Sequence, residues 1–389
     1  YGQLGNGYTT NRDDTDYYSY EKIYSAPVQV LNGAQTSETG YLKEVVQIDA
    51  MGGTGRDGKN RFGTSLAVTE SKEVYGWGNS LYGALGVKSS IVSTPVRVAT
   101  GISTAVQVAG GSKSGSDDYH VNSIGNTGYT YILKEDGTVS SLGYNVNGEL
   151  GNGAKASTTA VQEVSNLTEI MQVAGSKNGN FGAAVKEDGT VWTWGNNGVG
   201  QLGDGTSVTK AYPVQVFAGE ENDSSTGYLN NIIQISAGSN YVMALKKDGT
   251  VFTWGQNIYG QLGNGSSVNS MLPVQVKSAD GNSFLADIVQ ISAGYVHSMA
   301  LKKDGTVLAW GRNDGGQLGN NNTSNKSLPV QVKGGASGSK YLTDVVQVTA
   351  GNWHSMALKA NGTVYAWGWG QYGQLGNGYT TNRDDTDYY

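Results

Sequence analysis

The chain contains no cysteine, which removes disulfide frameworks, thiolate metal sites and thiol nucleophiles together. Histidine is nearly as scarce, with three in 389 residues, so an imidazole metal site would need all of them. Charged residues make up only 15% and the net charge is −6. That balance provides no broad basic field for a phosphate backbone, so nucleic acid is not an expected partner. No apolar run approaches the roughly 20 residues of a membrane span, so membrane insertion is not expected either. Helical periodicity is missing beyond a turn or two. The sequence starts at Tyr1 with no signal-like apolar stretch, which predicts a mature product or an excised piece. In place of ion pairs the chain carries 59 glycines and 24 tyrosines beside abundant Asn, Ser and Thr. This composition predicts an extracellular, secreted or cell-surface bacterial protein.

What the chain does have is internal repetition. The motif G-x-L-G begins at Gly2, Gly83, Gly148, Gly200, Gly260, Gly316 and Gly373. Six of these loops follow a strand ending in Trp-Gly or Leu-Gly, at Trp77, Leu142, Trp194, Trp254, Trp310 and Trp367. Each unit opens with apolar-Gln-apolar around Gln47, Gln107, Gln172, Gln234, Gln290 and Gln347, the period-2 alternation of a half-buried strand. A second strand then turns through Asp-Gly or Asn-Gly at 136–137, 188–189, 248–249, 304–305 and 361–362. This dipeptide predicts a hairpin with a type I′ turn. A fourth strand, Pro-Val-Gln-Val or a relative, follows the G-x-L-G loop.

The five prolines check this register. Pro27, Pro95, Pro213, Pro273 and Pro329 all open that fourth strand, and Ala160 takes the place in the remaining unit. Proline cannot donate to a ladder and is tolerated at a strand's first residue or on an edge. A lone four-stranded sheet cannot bury both faces, and radial packing of several such sheets solves this. The expected fold is therefore all-β, a single β-propeller over 1–389 with six four-stranded blades. The chain starts in the loop before a fourth strand and ends in the loop after a third. The strand at 27–30 is thus expected to complete the last blade and close the ring.

The run Ala350-Gly351-Asn352-Trp353-His354-Ser355-Met356-Ala357-Leu358, then D/N-G-T-V-x-x-W-G, then N-x-x-G-Q-L-G-N-G, resembles the regulator-of-chromosome-condensation repeat family. The resemblance covers essentially the whole chain. The family's best-known propellers have seven blades, so the resemblance allows a seventh outside this chain. Its eukaryotic nuclear founder is a nucleotide exchange factor that docks on nucleosomes. Bacterial relatives include a β-lactamase-inhibiting propeller and repeats of large surface proteins, and units such as Leu-Lys-Lys-Asp-Gly-Thr-Val look more like that set. Fold follows from the resemblance more firmly than function does.

Candidate chemistry is sparse. His297 and His354 share a repeat position with Tyr129, Phe181 and Tyr241, which marks a packing position with an optional hydrogen bond. Two G-x-G-x-x-G matches, Gly53-Gly55-Gly58 and Gly368-Gly370-Gly373, open no helix and so lack the dinucleotide mechanism. Asp13, Asp14 and Asp16 are weak calcium candidates without the glycine and distal glutamate of a full loop. No other cofactor is expected. The strand glutamines form a ring that either lines the channel or satisfies backbone groups between blades.

Insertions at 53–61, 112–128 and 176–180, with the stretch 8–26, all fall on the face carrying the G-x-L-G loops. Insertions on one face often mark the binding face. The candidate binding surface is Tyr8, Arg12, Tyr17, Tyr18, Arg56, Asp117, Tyr119 and His120, because Tyr and Arg anchor interfaces. Residues 372–389 repeat residues 1–18 without a difference. Both copies belong to one loop of a closed ring, which predicts an engineered duplication, a window on a tandem array or a joint for self-association. The functional expectation is a non-enzymatic binding or adhesion platform for a protein or glycan. A head-to-tail repeat polymer and a secreted inhibitor or exchange factor are the alternatives.

Overall fold

The computed structural model describes residues 4, 29–35, 40–52, 63–113, 127–220, 227–335, 340–371 and 373–377. Six antiparallel sheets follow one another along the chain as the blades of a β-propeller. Blade 1 comprises Val45–Gly52, Gly63–Thr69, Val74–Asn79 and Ile91–Val98. Blade 2 comprises Ala105–Lys113, Thr127–Lys134, Val139–Gly143 and Thr158–Glu163, and blade 3 Ile170–Gly175, Phe181–Lys186, Val191–Gly195 and Lys210–Gln215. Blade 4 takes Ile232–Ala237, Tyr241–Lys246, Val251–Gly255 and Ser270–Gln275. Blade 5 takes Ile288–Ala293, His297–Lys302, Val307–Gly311 and Lys326–Gln331. Blade 6 has Val345–Ala350, His354–Lys359 and Val364–Gly368 among the described residues. Among those residues the only helix is a 3₁₀ turn at Leu81–Gly83, and none is long and apolar enough to cross a membrane.

The Asp-Gly hairpins depart from the expected type I′ turn. Gly137, Gly189, Gly249 and Gly305 have φ between 73° and 84°, whereas the aspartates before them are not in the left-handed region. Lys246 N donates to Thr250 O, and Gly249 N to Lys246 O. This is a type I turn with the glycine in a bulge, which needs one left-handed residue rather than two. Each aspartate carboxylate instead accepts from the threonine two residues on, as Asp248 does from Thr250 N at 2.9 Å and Oγ1 at 2.6 Å.

Apolar cores lie between blades. Phe181, Ala183, Val185 and Val191 of blade 3 pack with Ile232, Ile235, Val242 and Trp254 of blade 4 in one buried cluster. The same partition recurs in the following cluster, which joins blade 4 to blade 5. Each large aliphatic side chain so buried contributes about 1.5–3 kcal/mol. Polar groups fix the register of the five steps from blade 1 to blade 6. Gln234 Nε2 donates to Ile291 O at 3.2 Å, and Ile291 N donates back to Gln234 Oε1 at 2.9 Å. Gln47, Gln107 and Gln172 make the same pair of bonds to Val108, Val173 and Ile235. The strand glutamines therefore satisfy backbone groups of the next blade. A second tie runs backwards: Trp254 and Trp310 donate from Nε1 to the carbonyls of Gln201 and Gln261 in the preceding G-x-L-G loop.

The step from blade 6 to blade 1 differs. Ile48 is 71% exposed, whereas its counterparts Val108, Val173, Ile235, Ile291 and Val348 are at most 2% exposed. A direct contact survives at the loop face, where Asn352 Nδ2 donates to Gly52 O at 2.9 Å. Pro27 and Val28 lie outside the described residues. Downstream of them, Ala34 N donates to Pro95 O, as Glu220 N does to Pro273 O. The leading segment thus enters blade 1 by the ordinary blade-to-blade route.

Candidate functional site

Every residue of the sequence-derived surface (Tyr8, Arg12, Tyr17, Tyr18, Arg56, Asp117, Tyr119 and His120) lies outside the described residues, as do Asp13, Asp14 and Asp16. Among the described residues no group of three His, Asp or Glu could hold a metal ion. The G-x-L-G face itself is described around blades 4 to 6, and there the structure assembles a cluster that the sequence reading missed.

Its centre is Arg312, directly after the Trp-Gly end of the third strand in blade 5. The guanidinium lies over Trp353, with Cζ 4.5 Å from the ring centroid, and over Tyr259, at 4.8 Å. Nε donates to Asp314 Oδ1 at 2.8 Å, so the positive charge is offset locally. Trp353 packs against Tyr295 with centroids 5.2 Å apart and against Trp369 at 6.2 Å. Tyr259, Tyr295, Arg312, Trp353 and Trp369 are all half-buried. Each cation–π contact at such depth is worth roughly 0.5–2 kcal/mol. Beside them Gln317 is fully buried. Its Oε1 accepts from Gly315 N at 2.9 Å, while its Nε2 has no partner among the described residues. The sequence signal was faint: Trp353 stands where the other units carry Gly, Asn or Val, and Trp369 where they carry Asn, Tyr, Gln or Arg.

Beneath this face the channel contains charge. Lys177 Nζ donates to Ala293 O at 2.7 Å and also to Ala350 O. Burial lowers its pKa to about 8, against the attraction of Asp49. Burial raises the Asp49 carboxyl, although Gly110 N donates to Oδ2 at 2.7 Å and Lys177 opposes the shift. His297 is fully buried, and burial, reinforced by Lys177 and His354, pushes its pKa down to about 3. His354 falls to about 4 for the same first two reasons.

His297 Nε2 lies 3.0 Å from Ser355 Oγ, a spacing that a nucleophile and base also adopt. Three features make it a packing contact. Both residues are fully buried, Ser355 Oγ already donates to Gln317 O, and among the described residues His297 Nδ1 has no partner to orient the ring. Tyr241, one blade earlier, reaches the same junction through its own hydroxyl, which donates to His297 O at 2.5 Å. The reading of His297 as a packing position with an optional hydrogen bond holds.

Residues 117–388 match the profile of the RCC1-like domain, and residues 72–114 match the regulator of chromosome condensation repeat. The chain belongs to the RCC1-like family. Within it, the chain is 31% identical over 326 residues to the ultraviolet-B receptor UVR8 of Arabidopsis thaliana, covering 82% of this chain and 66% of that protein. It is 32% identical over 329 residues to the human E3 ubiquitin-protein ligase HERC2, covering 82% of this chain but 6% of that protein. Among solved structures, human WBSCR16 superposes with a TM-score of 0.68 at 21% identity, covering 88% of this chain and 82% of that one. Prp20p of Saccharomyces cerevisiae superposes at 0.64 with 22% identity, covering 87% and 84%. The last two likenesses concern the fold. For this family the coarse role is binding and regulation through a propeller surface.

Proposed function

We propose that the chain is a non-catalytic binding domain of a secreted or surface-exposed bacterial protein, and that the face carrying Arg312, Trp353 and Trp369 engages a protein partner. The observation that carries the reading is the half-buried aromatic–arginine cluster. Trp, Tyr and Arg dominate binding hot spots, and here they are packed in advance by one another. Prp20p is a relative in fold whose structure was described together with its binding to Gsp1p and histones, which supports a protein as the ligand. A glycan could use the same rings, and the experiment separates the two. The reading requires no cofactor.

The test is capture from cell lysates and culture medium of the source organism, run beside a glycan array, with the parent chain and Trp353→Ala. A hot-spot residue costs at least about 2 kcal/mol on truncation, a loss of about thirtyfold in affinity. Equal binding by both chains would remove this face from the function. Binding confined to the array would replace protein by glycan. Detection of the protein only inside its source cells would overturn the surface assignment.

A further inference from the structure

The first-to-second connection of blade 3, residues 176–180, crosses the central channel. Lys177 N donates to Gly238 O of blade 4 at 3.0 Å, and a parallel bridge pairs Lys177 with Ser112 of blade 2. The side chain goes further. Its ammonium donates to Ala293 O of blade 5 and Ala350 O of blade 6, and it faces the Asp49 carboxylate of blade 1. Asn178 Nδ2 then donates to Tyr295 OH at 3.1 Å. A single insertion therefore contacts or faces every other blade.

Two of these contacts lie just ahead of the aromatic cluster. Ala293 stands two residues before Tyr295, and Ala350 three residues before Trp353. Ala350 and Asp49, in turn, stand on opposite sides of the step where Ile48 is exposed. We infer that Lys177 is a positioning residue for the loop face, a strut that sets the separation of Tyr295 and Trp353 and ties the last blade to the first. An ammonium suits this task because it offers several donors from one point: two go to the carbonyls of Ala293 and Ala350, and its charge attracts the Asp49 carboxylate. Elsewhere around the propeller the strand glutamines hold neighbouring blades together. Gln347, the corresponding residue of blade 6, has no such partner among the described residues.

The inference rests on the proposed binding face for its functional meaning, but its test does not. Amide hydrogen exchange on the full chain reads four junction amides: Ala293 (to Ser236 Oγ), Gly294 (to His297 O), Ala350 (to Ser292 Oγ) and Gly351 (to His354 O). In Lys177→Met these four exchange about tenfold faster, while Met243–Leu245 of blade 4 keep the parent rate, and Lys177→Arg restores part of the protection. Parent rates at all four amides would overturn the strut, and so would equal acceleration in every blade. If Lys177→Met does not fold, Asp49→Asn serves, because it keeps an acceptor for Gly110 N and removes only the charge. Its expected effect is about threefold, at Ala350 and Gly351, and parent rates there refute the tie between last and first blades. Should the amides respond while Trp353→Ala leaves partner binding intact, the strut stands and the binding reading falls. The reverse pattern sinks the strut alone.

Discussion

Lowering the pH from 7 to 5 should cost this fold about 4 kcal/mol through two histidines alone. His297 and His354 are held neutral in the folded chain, with pKa values near 3 and 4 against 6.5 when free. Between pH 7 and 5 the unfolded chain takes up protons on both imidazoles and the folded chain takes up almost none. A base whose folded pKa is depressed therefore loses stability as pH falls through its unfolded value. Each histidine contributes about 2 kcal/mol over this interval. The lowered carboxyls of the turns, such as Asp188, Asp248 and Asp304, add their own loss only at lower pH. Replacements come from the repeat itself, where Tyr241 and Phe181 fill the same position fully buried. Urea unfolding of the parent and of the double variant His297→Tyr/His354→Phe, at pH 7 and pH 5, isolates the effect, since His120 is common to both. The double variant should be less pH-dependent by about 4 kcal/mol. Equal pH dependence in the two chains would refute the claim that these rings are neutral because they are buried.

Further predictions concern the joints between blades. Gln234→Leu leaves Ile291 N and O unpaired and should lower stability by about 2–3 kcal/mol, whereas Gln347→Leu should change it by less than about 0.5 kcal/mol. Thermal unfolding of the two variants compares them directly. Gly179→Ala places a methyl 1.5 Å from Ser239 O and should prevent normal folding, read as lost soluble yield. Gly101→Ala meets nothing within 4 Å and should unfold at the parent temperature. Trp310→Phe loses the bond to Gln261 O and part of a fully buried ring, so a drop of about 2–3 kcal/mol is expected in urea.

Much of the fold was legible because the repeat sets one physical problem six times. Glutamine in the first strand and Asp-Gly after the second each mark a backbone requirement that does not vary with context. The prolines were expected to open the fourth strand; among the described residues they sit inside it at the break in its register, as Pro213 does within Lys210–Gln215. The glutamines' role followed from the same logic, since a buried amide repeated at fixed register must serve neighbouring backbone. The turn type was misread because Asp-Gly satisfies both a two-residue turn and a bulged one, and only the backbone distinguishes them. The candidate site was hardly legible. Tyr259, Tyr295, Arg312, Trp353 and Trp369 come from three units; only Arg312 and Trp369 share a repeat position, and with different chemistry there, so no common pattern links the five. The insertion 176–180 was visible as an insertion, but nothing local shows that Lys177 reaches blades 5 and 6.

Because the apolar clusters straddle adjacent blades, the heritable unit is a junction rather than a sheet. Slippage that adds or removes one whole period joins the rear half of one cluster to the front half of another, and these halves are already complementary. A break inside a period leaves two halves with no counterpart. Such a gene can therefore change its number of units in whole steps without inventing a new interface, and recombination among its own repeats is tolerated where point insertion into a strand is not. The glutamines of all six units and the tryptophans of five mark the interface that such whole steps carry with them.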